Sequence, residues 1–450
     1  MAHPADTITA LATPLGTSAI AVVRVSGPDV AGLMRALFGE APPPRQARRA
    51  DYRDRAGSLL DDVLFTWFAG PNSFTGEDTL EVSCHGNPFI AQKILEDLAT
   101  RGCRLAEAGE FSKRAFLNGR IDLSQAEAVM DLIHARSERA LAAANRQLRG
   151  ALGRQMDALV SRLLDVLAQV EAYIDFPEED LPPEDRHSLR QQIEALAADT
   201  RRLRATSHYG ALLREGIKAV ILGETNAGKS SLLNRLIGRD RALVSAEPGT
   251  TRDYIEEPFV LGRHWFRLVD TAGLNEHPSA LERRGIDKTL EQAVDASVYL
   301  WVIDGTRPLP NLPPALARAM TRENTLAVFN KADLFAKNFS APAVPFRSVI
   351  ASALAGRGVD ELQTALIDLG DALIPDNDDS LIAINARHAH ALDEAQQGLE
   401  SAAEKLGRGD SSVLISSDLR MTMAAYSQIA GAVDNEAMLD RLFASFCIGK

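Results

Sequence analysis

The sequence has little cysteine, little tryptophan and no apolar run long enough to cross a bilayer. Among its 450 residues are three cysteines and three tryptophans, and aromatic residues make up 6%. So few cysteines in so long a chain exclude a disulfide scaffold and favour a reducing compartment. Residues 1–6 also lack the features of a signal or transit peptide. We therefore expect a cytoplasmic protein that does not associate with membranes.

The charge balance is acidic, with 49 Lys and Arg against 61 Asp and Glu and a net charge of −12. This excludes a protein that binds nucleic acid through its overall field, so any such contact must use a local patch. Two basic clusters, at residues 201–204 and 136–154, could contact tRNA. We interpret them instead as solvated helix faces whose basic side chains pair with nearby acids.

Three kinds of pattern divide the chain, which is long enough for two to four domains. Residues 1–120 mix strand-like and helix-like runs, whereas residues 121–213 and 376–450 carry apolar residues at steps of three and four. Residues 214–375 alternate short apolar strands with helices, which predicts an α/β domain with a doubly wound, mostly parallel sheet. Because this α/β stretch lies between two helical stretches, we interpret it as a domain inserted into a split helical domain. The predicted strands are Ile20–Val25, Val63–Phe68, Leu80–Val82, Lys218–Leu222, Trp265–Val269, Val298–Ile303 and Leu326–Phe329.

Residues 223–230 read Gly-Glu-Thr-Asn-Ala-Gly-Lys-Ser, directly after a predicted strand and before a predicted helix. In this pattern backbone N–H groups curl around phosphate oxygens, the lysine reaches the outer phosphates and the serine ligates Mg²⁺. The alternative is a glycine-rich turn with no ligand, which the strand–helix context disfavours. The predicted nucleotide contacts here are Asn226, Ala227, Gly228, Lys229, Ser230 and Ser231, with Ser230 also on Mg²⁺.

Three further motifs follow in the order that a GTP-binding domain needs, each at the end of a predicted strand. In the first, Asp270 can hold Mg²⁺ through water and Gly273 can offer an N–H to the γ-phosphate. In the second, Asp333 can accept from guanine N1–H and N2–H₂ together, a pairing that adenine cannot offer. The predicted GTP contacts from all three are Asp270, Thr271, Ala272, Gly273, Asn330, Lys331, Asp333, Ser352, Ala353 and Leu354.

A switch loop is predicted between the phosphate-binding loop and Asp270. There Thr250 and Thr251 are candidate nucleotide contacts, and Thr251 is a candidate Mg²⁺ ligand when the γ-phosphate is present. The alternative is an ordinary Pro-Gly turn followed by a helix cap. Leu274 stands where many GTPases place a glutamine that orients water. Glu282 is a candidate replacement, although its spacing alone favours a solvated helix carboxylate.

Segments outside these motifs carry a resemblance that covers essentially the full length. They are Asp6–Ile8, Thr13–Pro14, Pro71–Asp78, Gly109–Phe111, Arg114–Asn118, Gln125–Ala128, Leu212–Gly216, Gly249–Asp253 and Phe446–Lys450. In these segments the sequence resembles the tRNA-uridine modification GTPase family MnmE, also called TrmE. The resemblance implies an α+β N-terminal domain that dimerises and binds tetrahydrofolate (1–120), a split helical domain (121–213 plus 376–450) and an inserted G domain (214–375).

The resemblance also implies a function and partners. A homodimer of this family works on tRNA with an FAD- and NADH-dependent partner, MnmG, also called GidA. Together they add an aminomethyl-type or carboxymethylaminomethyl group to carbon 5 of the wobble uridine (U34) of certain tRNAs. A tetrahydrofolate derivative, for example 5-formyl-tetrahydrofolate, would supply the one-carbon unit.

Several residue roles follow only from the resemblance. GTP hydrolysis would depend on K⁺ and drive pairing of G domains, and Glu282 would orient the attacking water, which reverses the interpretation from spacing. Cys447 would be a nucleophile or one-carbon carrier, a role that competes with that of a small buried hydrophobic residue. The implied K⁺ ligands are Asn226, Ser245, Glu247 and Thr250, with Ser245 also on GTP, and the implied folate contacts are Arg24, Glu81, Arg120 and Lys450.

Two other functions remain open at this point. A switch GTPase in ribosome assembly would share the phosphate-binding asparagine and the use of K⁺, so dependence on that cation does not separate the two. Folate binding does separate them. A free-standing one-carbon enzyme is the third possibility, and the G motifs disfavour it.

Overall fold

The computed structural model describes residues 6–39, 41–175, 186–238, 256–270, 296–336, 339–374, 382–431 and 436–449. The chain forms two compact units. The first contains Met1–Met130, Gln147–Leu196 and Glu394–Lys450, and the second contains Asp131–Arg146 and Ala197–Asp393. The division falls inside several helices, and the domain boundaries given above stay a prediction.

Six strands of the described chain form a sheet in the first unit: β1 (Ile8–Leu11), β2 (Ile20–Ser26), β3 (Ala47–Arg53), β4 (Leu59–Phe68), β5 (Thr79–His85) and β6 (Arg104–Leu105). Their order is β3-β4-β5-β2-β1-β6, antiparallel except for the β1–β6 pair. Alternate side chains such as Val23, Phe65 and Val82 are buried and pack against two helices, since strand side chains alternate between faces. Those helices are α1 (Val30–Phe38) and α2 (Pro88–Thr100), and α3 (Glu110–Leu117) follows β6.

Helices make up most of the next part of the chain. The apolar repeat that begins at Leu148 crosses a helix boundary, because Gly150 takes φ +78° and separates two helices. Glycine reaches this left-handed conformation without steric cost, which makes it a common helix stop. The helices are α4 (Leu123–His134), α5 (Glu138–Leu148), α6 (Ala151–Asp175), α7 (Arg186–Ala205) and α8 (Ser207–Glu215).

The second unit contains the predicted doubly wound sheet. Its strands are β7 (Ile217–Leu222), β8 (Glu256–Leu261), β9 (His264–Asp270), β10 (Val298–Asp304), β11 (Thr325–Asn330) and β12 (Arg347–Ile350). They lie in the order β12-β11-β10-β7-β9-β8, and only the edge strand β8 pairs antiparallel. Neighbouring residues such as Ile221 and Leu222 belong to separate buried cores, so both faces of the sheet are covered, as parallel sheets require. The predicted fold class is confirmed.

Three helices of the second unit follow strands of this sheet: α9 (Lys229–Ile237), α10 (Pro314–Ala319) and α11 (Val359–Leu373). The remaining described helices are α12 (Ala386–Arg408), α13 (Ser412–Ala430) and α14 (Glu436–Phe443). No helix within the described ranges combines the length and apolar character that a membrane span needs.

A carboxylate near the end of α11 fixes the hairpin of β8 and β9. Asp371 accepts from His264 Nε2 at 2.6 Å and from Arg263 Nε at 3.0 Å, and Arg139 lies 3.3 Å away. Burial lowers the pKa of His264, and the bond to Asp371 opposes this without cancelling it. The imidazole is therefore held neutral, with its proton on Nε2 because the carboxylate needs a donor there.

Candidate functional site

The candidate nucleotide site lies where the parallel strands end. β7 stands between β9 and β10, so chain connections leave it in opposite directions along the sheet. In open α/β sheets, the crevice at such a point, beside the carboxyl ends of the strands, is where ligands bind. The four predicted motifs follow β7, β9, β11 and β12, so the fold places them along one edge.

The phosphate-binding loop has the backbone that its glycines predict. Gly228 takes φ +93°, and a Cβ there would lie 2.2 Å from Asn330 Nδ2. Gly223 takes φ +152°, and its Cβ would lie 2.2 Å from Val302 O. Asn226 is a non-glycine residue with positive φ, at +64°. The loop thus turns sharply at the N-terminus of α9, where unpaired N–H groups and the helix dipole favour phosphate.

Lys229 is held inside this loop. Its Nζ donates to Gly223 O and Glu224 O, both at 2.9 Å, and the residue is only 8% exposed. A buried ammonium needs oxygen partners, and here the loop's own carbonyls provide them. The positive charge therefore lies within the cradle that the N–H groups form.

Asn330, the last residue of β11, connects two loops. Its Nδ2 donates to Ala227 O at 2.8 Å, and its Oδ1 accepts from Ala353 N at 3.0 Å. Asn330 is 2% exposed. The amide thus ties the phosphate-binding loop to the loop after β12, a connection that the motif alone did not indicate.

The predicted guanine pocket brings together the ends of β11 and β12. Ser352 Oγ donates to Asp333 Oδ1 and accepts from Ala355 N at 3.0 Å. This hydrogen bond orients the carboxylate predicted to read guanine. Leu354 is exposed, and its carbonyl accepts from Arg235 Nη2 at 2.7 Å, which anchors the loop to α9. Ala353 is buried.

Sequence reasoning missed Asp304, the last residue of β10. Its Oδ2 accepts from Lys331 Nζ at 2.7 Å, and its Oδ1 accepts from Thr306 N at 3.0 Å and from Thr306 Oγ1 at 2.6 Å. Burial would raise the pKa of this carboxyl, but the bonds from Lys331 and Thr306 outweigh it and lower the pKa. An acid directly after a fully buried strand was the sequence signal available.

The metal calls divide between described and undescribed residues. Ser230 and Ser231 are exposed at the start of α9, and Asp270 ends β9, the strand beside β7. Hydroxyl and carboxylate oxygens at these strand ends are the donors that Mg²⁺ prefers. Within the ranges described, no group of three or more His, Cys, Asp or Glu side chains could hold a metal. Outside those ranges lie Ser245, Glu247, Thr250, Thr251, Thr271, Ala272, Gly273 and Glu282.

The candidate folate residues lie on the sheet of the first unit. Arg24 on β2 and Glu81 on β5 are register partners, and Arg24 donates to Glu81 Oε1 from Nε at 3.0 Å and from Nη2 at 2.8 Å. The Arg24 guanidinium also lies 5.9 Å from the ring centroid of Phe74. Arg120 is exposed, and its Cγ would lie 3.1 Å from a Cβ added at Gly76. Lys450 lies outside the described residues.

The C-terminal segment reaches the same sheet. Ile448 forms an antiparallel bridge with Ala108, and Gly109 N donates to Cys447 O at 3.3 Å. Arg24 Nη1 donates to Gly449 O at 3.2 Å. Cys447 is exposed, whereas burial raises the thiol pKa of Cys84 and of Cys103 to about 11. The structure thus brings the predicted chemical cysteine within two residues of a contact made by Arg24.

A buried ion network joins three of the segments that carry the family resemblance. Arg114 is fully buried, and its Nη2 donates to Asp6 Oδ1 at 2.8 Å and to Glu110 Oε1 at 3.0 Å. Its Nη1 lies 3.2 Å from Glu77 Oε2. Glu77 in turn accepts from Ser26 Oγ at 2.8 Å. The network holds the loop before β5 against α3, so these motifs are explained by packing of charges.

The basic clusters contain ion pairs of the kind that the solvated-face interpretation expects. Arg202 pairs with Asp199, and Arg204 Nε donates to Asp393 Oδ1 at 2.8 Å. Arg139 pairs with Asp371. These pairs favour solvated helix faces over a tRNA surface.

The parallel sheet and the motifs along its edge define a P-loop GTP-binding protein. Family models agree: "MnmE helical domain" matches residues 123–447, and "GTP-binding protein TrmE N-terminus" matches residues 7–120. A "tRNA modification GTPase MnmE" from Opitutus terrae is 56% identical over 99% of both chains. Proteins of that name from Akkermansia muciniphila (43% identical, 100% of both chains) and Chlorobium chlorochromatii (39%, 99% of this chain and 98% of the other) are also similar. The chain belongs to the MnmE (TrmE) family of tRNA modification GTPases.

Proposed function

We propose that this chain is the GTP-hydrolysing subunit of a cytoplasmic complex that modifies the wobble uridine of tRNA. As a homodimer with an FAD- and NADH-dependent partner of the MnmG type, it adds an aminomethyl-type or carboxymethylaminomethyl group to carbon 5. A bound tetrahydrofolate derivative would supply the one-carbon unit. The observation that carries this proposal is the meeting of the C-terminal segment with Arg24 in a chain that also has a complete guanine-nucleotide edge.

The nucleotide edge supports GTP binding through residues already positioned without ligand. Lys229 and the N-terminus of α9 provide positive potential for the phosphates, and Ser230 offers a hydroxyl for Mg²⁺. Asp333, oriented by Ser352, offers a carboxylate to the guanine edge. Asn226 offers an amide oxygen for K⁺, a charge that would act where many GTPases use an arginine finger.

The first unit supports folate binding through its charges. Both bonds from Arg24 end on Glu81 Oε1, and no described residue donates to Oε2. That oxygen is therefore available to the amino and ring N–H groups of a pterin. Arg120 is exposed on the neighbouring loop, where a basic side chain can meet a glutamyl carboxylate.

The test measures wobble-uridine nucleosides of bulk tRNA by mass spectrometry in cells that lack this chain. We expect the 5-substituted uridines to be lost and to return with the wild-type chain. Cys447→Ser should fail to restore them while the purified variant hydrolyses GTP at the wild-type rate. Cys84→Ser is the matched control: its thiol is buried and donates to Ala21 O at 3.5 Å, which a hydroxyl can replace, so modification should return.

Two outcomes would contradict the proposal. Unchanged nucleosides without the chain would remove the modification role and favour a ribosome-assembly switch. Loss of both modification and GTP hydrolysis in a folded Cys447→Ser variant would contradict the separation of the two sites. A calorimetric titration with 5-formyl-tetrahydrofolate separates the two functions directly, because only the modification subunit is expected to bind it.

A further inference from the structure

The end of β10 contains a buried acid that none of the nucleotide motifs includes. Asp304 has a side chain only 5% exposed, and it lies opposite Asn330 in the register of β10 and β11. Its two oxygens divide their donors: Oδ1 takes both donors of Thr306, and Oδ2 takes the Lys331 ammonium at 2.7 Å. Every strong contact of this carboxylate therefore involves the strand ends beside the guanine pocket.

Lys331 has a backbone that needs such support. It takes φ +66° and ψ +36°, a left-handed conformation that residues with a Cβ rarely adopt. This turn lets Asn330 point to the phosphate-binding loop while Asp333, two residues later, points to Ser352. Lys331 thus separates the residue that ties the loops from the residue that reads the base.

We propose that Asp304 is a positioning residue for guanine-nucleotide binding, acting through Lys331. By holding the ammonium at one end of the side chain, Asp304 keeps the charge out of the base pocket. The apolar stem of the lysine is then left as a surface on which a purine ring packs. The inference rests on the proposed guanine pocket and adds a residue to it.

Asparagine cannot take this role. An Asp carboxylate accepts on both oxygens, but an Asn amide has one oxygen and one NH₂ donor. In Asp304→Asn the NH₂ would face either the Lys331 ammonium or the two donors of Thr306. One of the two contacts is lost in either orientation, although the side chain keeps its size.

The test is a double-mutant cycle on the affinity for a fluorescent GDP analogue, with the full chain. We expect Asp304→Asn and Lys331→Ala each to weaken binding about tenfold, the effect of one charged hydrogen bond. The double variant should be no weaker than either single variant, because both remove the same contact. At saturating GTP, kcat should stay within about twofold of wild type while KM rises, since the pair acts on binding alone.

Arg307→Ala is the matched control. Arg307 Nε lies 3.7 Å from the same Asp304 oxygen, but its side chain is 59% exposed. An exposed pair contributes little, so GDP affinity should change less than about twofold. This variant removes a charge from Asp304 without touching Lys331.

Three results would overturn the inference. One is additive losses in the cycle, another is a fall in kcat with KM unchanged. The third is a variant whose competent fraction drops while its remaining sites bind GDP normally, which would indicate a purely structural role. Asp333→Asn separates this inference from the proposed pocket. If that change does not shift preference from GTP toward xanthosine triphosphate, the pocket itself is misplaced.

Discussion

Replacing Asn330 with alanine removes the amide that ties the two loops of the nucleotide edge. Ala227 C=O and Ala353 N–H would both lose their partner, and each loss of a buried partner costs about 1–3 kcal/mol. Because the edge opens to water, which can replace part of these bonds, we expect a value in the lower half of the sum. The free energy of unfolding of the second unit should therefore fall by about 3 kcal/mol.

Nucleotide affinity should fall in the same variant. Both loops that Asn330 connects line the site, so their relative position must be restored when nucleotide binds. We expect the affinity for a fluorescent GDP analogue to drop at least about tenfold, equivalent to about 1.4 kcal/mol of the lost stability. Tryptophan emission during urea unfolding reports stability, because Trp265 and Trp301 both lie in strands of this sheet.

Asn324 offers a matched control at the opposite end of β11. Its Oδ1 accepts from Thr321 N at 2.7 Å, and its Nδ2 donates to Ala319 O at 3.0 Å. Asn324→Ala removes the same chemistry far from the nucleotide edge, so it should lower stability while GDP affinity stays within about twofold. The reasoning would be refuted if Asn330→Ala lost stability but bound GDP as tightly as Asn324→Ala does.

Three further outcomes follow from other contacts. In the folded chain a maleimide should label one thiol per chain, at Cys447, and three after denaturation, because burial raises the pKa of the other two; faster labelling of a second thiol would contradict this. Arg114→Met should lower the free energy of unfolding of the first unit by about 3–5 kcal/mol, since three carboxylates lose a buried partner; a change below about 1 kcal/mol in urea unfolding would argue otherwise. Because burial lowers the pKa of His264, the unfolded chain binds a proton first as pH falls, so stability should decrease below about pH 6.5 by at most about 1.4 kcal/mol per pH unit. His264→Gln, which can still donate to Asp371, should remove that slope in unfolding measured from pH 7.5 to 5.5.

The sequence predicted the nucleotide edge well because its signals are local. A glycine-rich loop, a buried strand and the polar residue that ends it are all contiguous, and parallel strands bring their carboxyl ends together automatically. The predicted strand Val298–Ile303 appears as Val298–Asp304, one residue longer. That added residue, Asp304, is the one whose role was missed, because its partner Lys331 lies on another strand end.

The sheet of the first unit was less accessible. The edge strand β3, Ala47–Arg53, is mostly exposed and carries three arginines, so its sequence has little of the apolar pattern of a strand. Strand β1 is only four residues long and buried, a run too short for periodicity to indicate. The Arg114 network also needed the fold, since Asp6 lies 108 residues away in sequence. Motif residues held by long-range ion pairs can be recognised from a resemblance, but their contacts cannot be derived from spacing.

The contact between Arg24 and Gly449 imposes an order in time. The two residues are 425 positions apart. At a synthesis rate of about 5–20 residues per second, the arginine leaves the ribosome about 20–85 s before its carbonyl partner exists. Throughout that interval the sheet around Arg24 lacks the strand-like segment that bridges Ala108. A chain interrupted late in translation would therefore carry a finished nucleotide edge but an incomplete first unit, able to bind GTP and unable to support the chemistry assigned to Cys447.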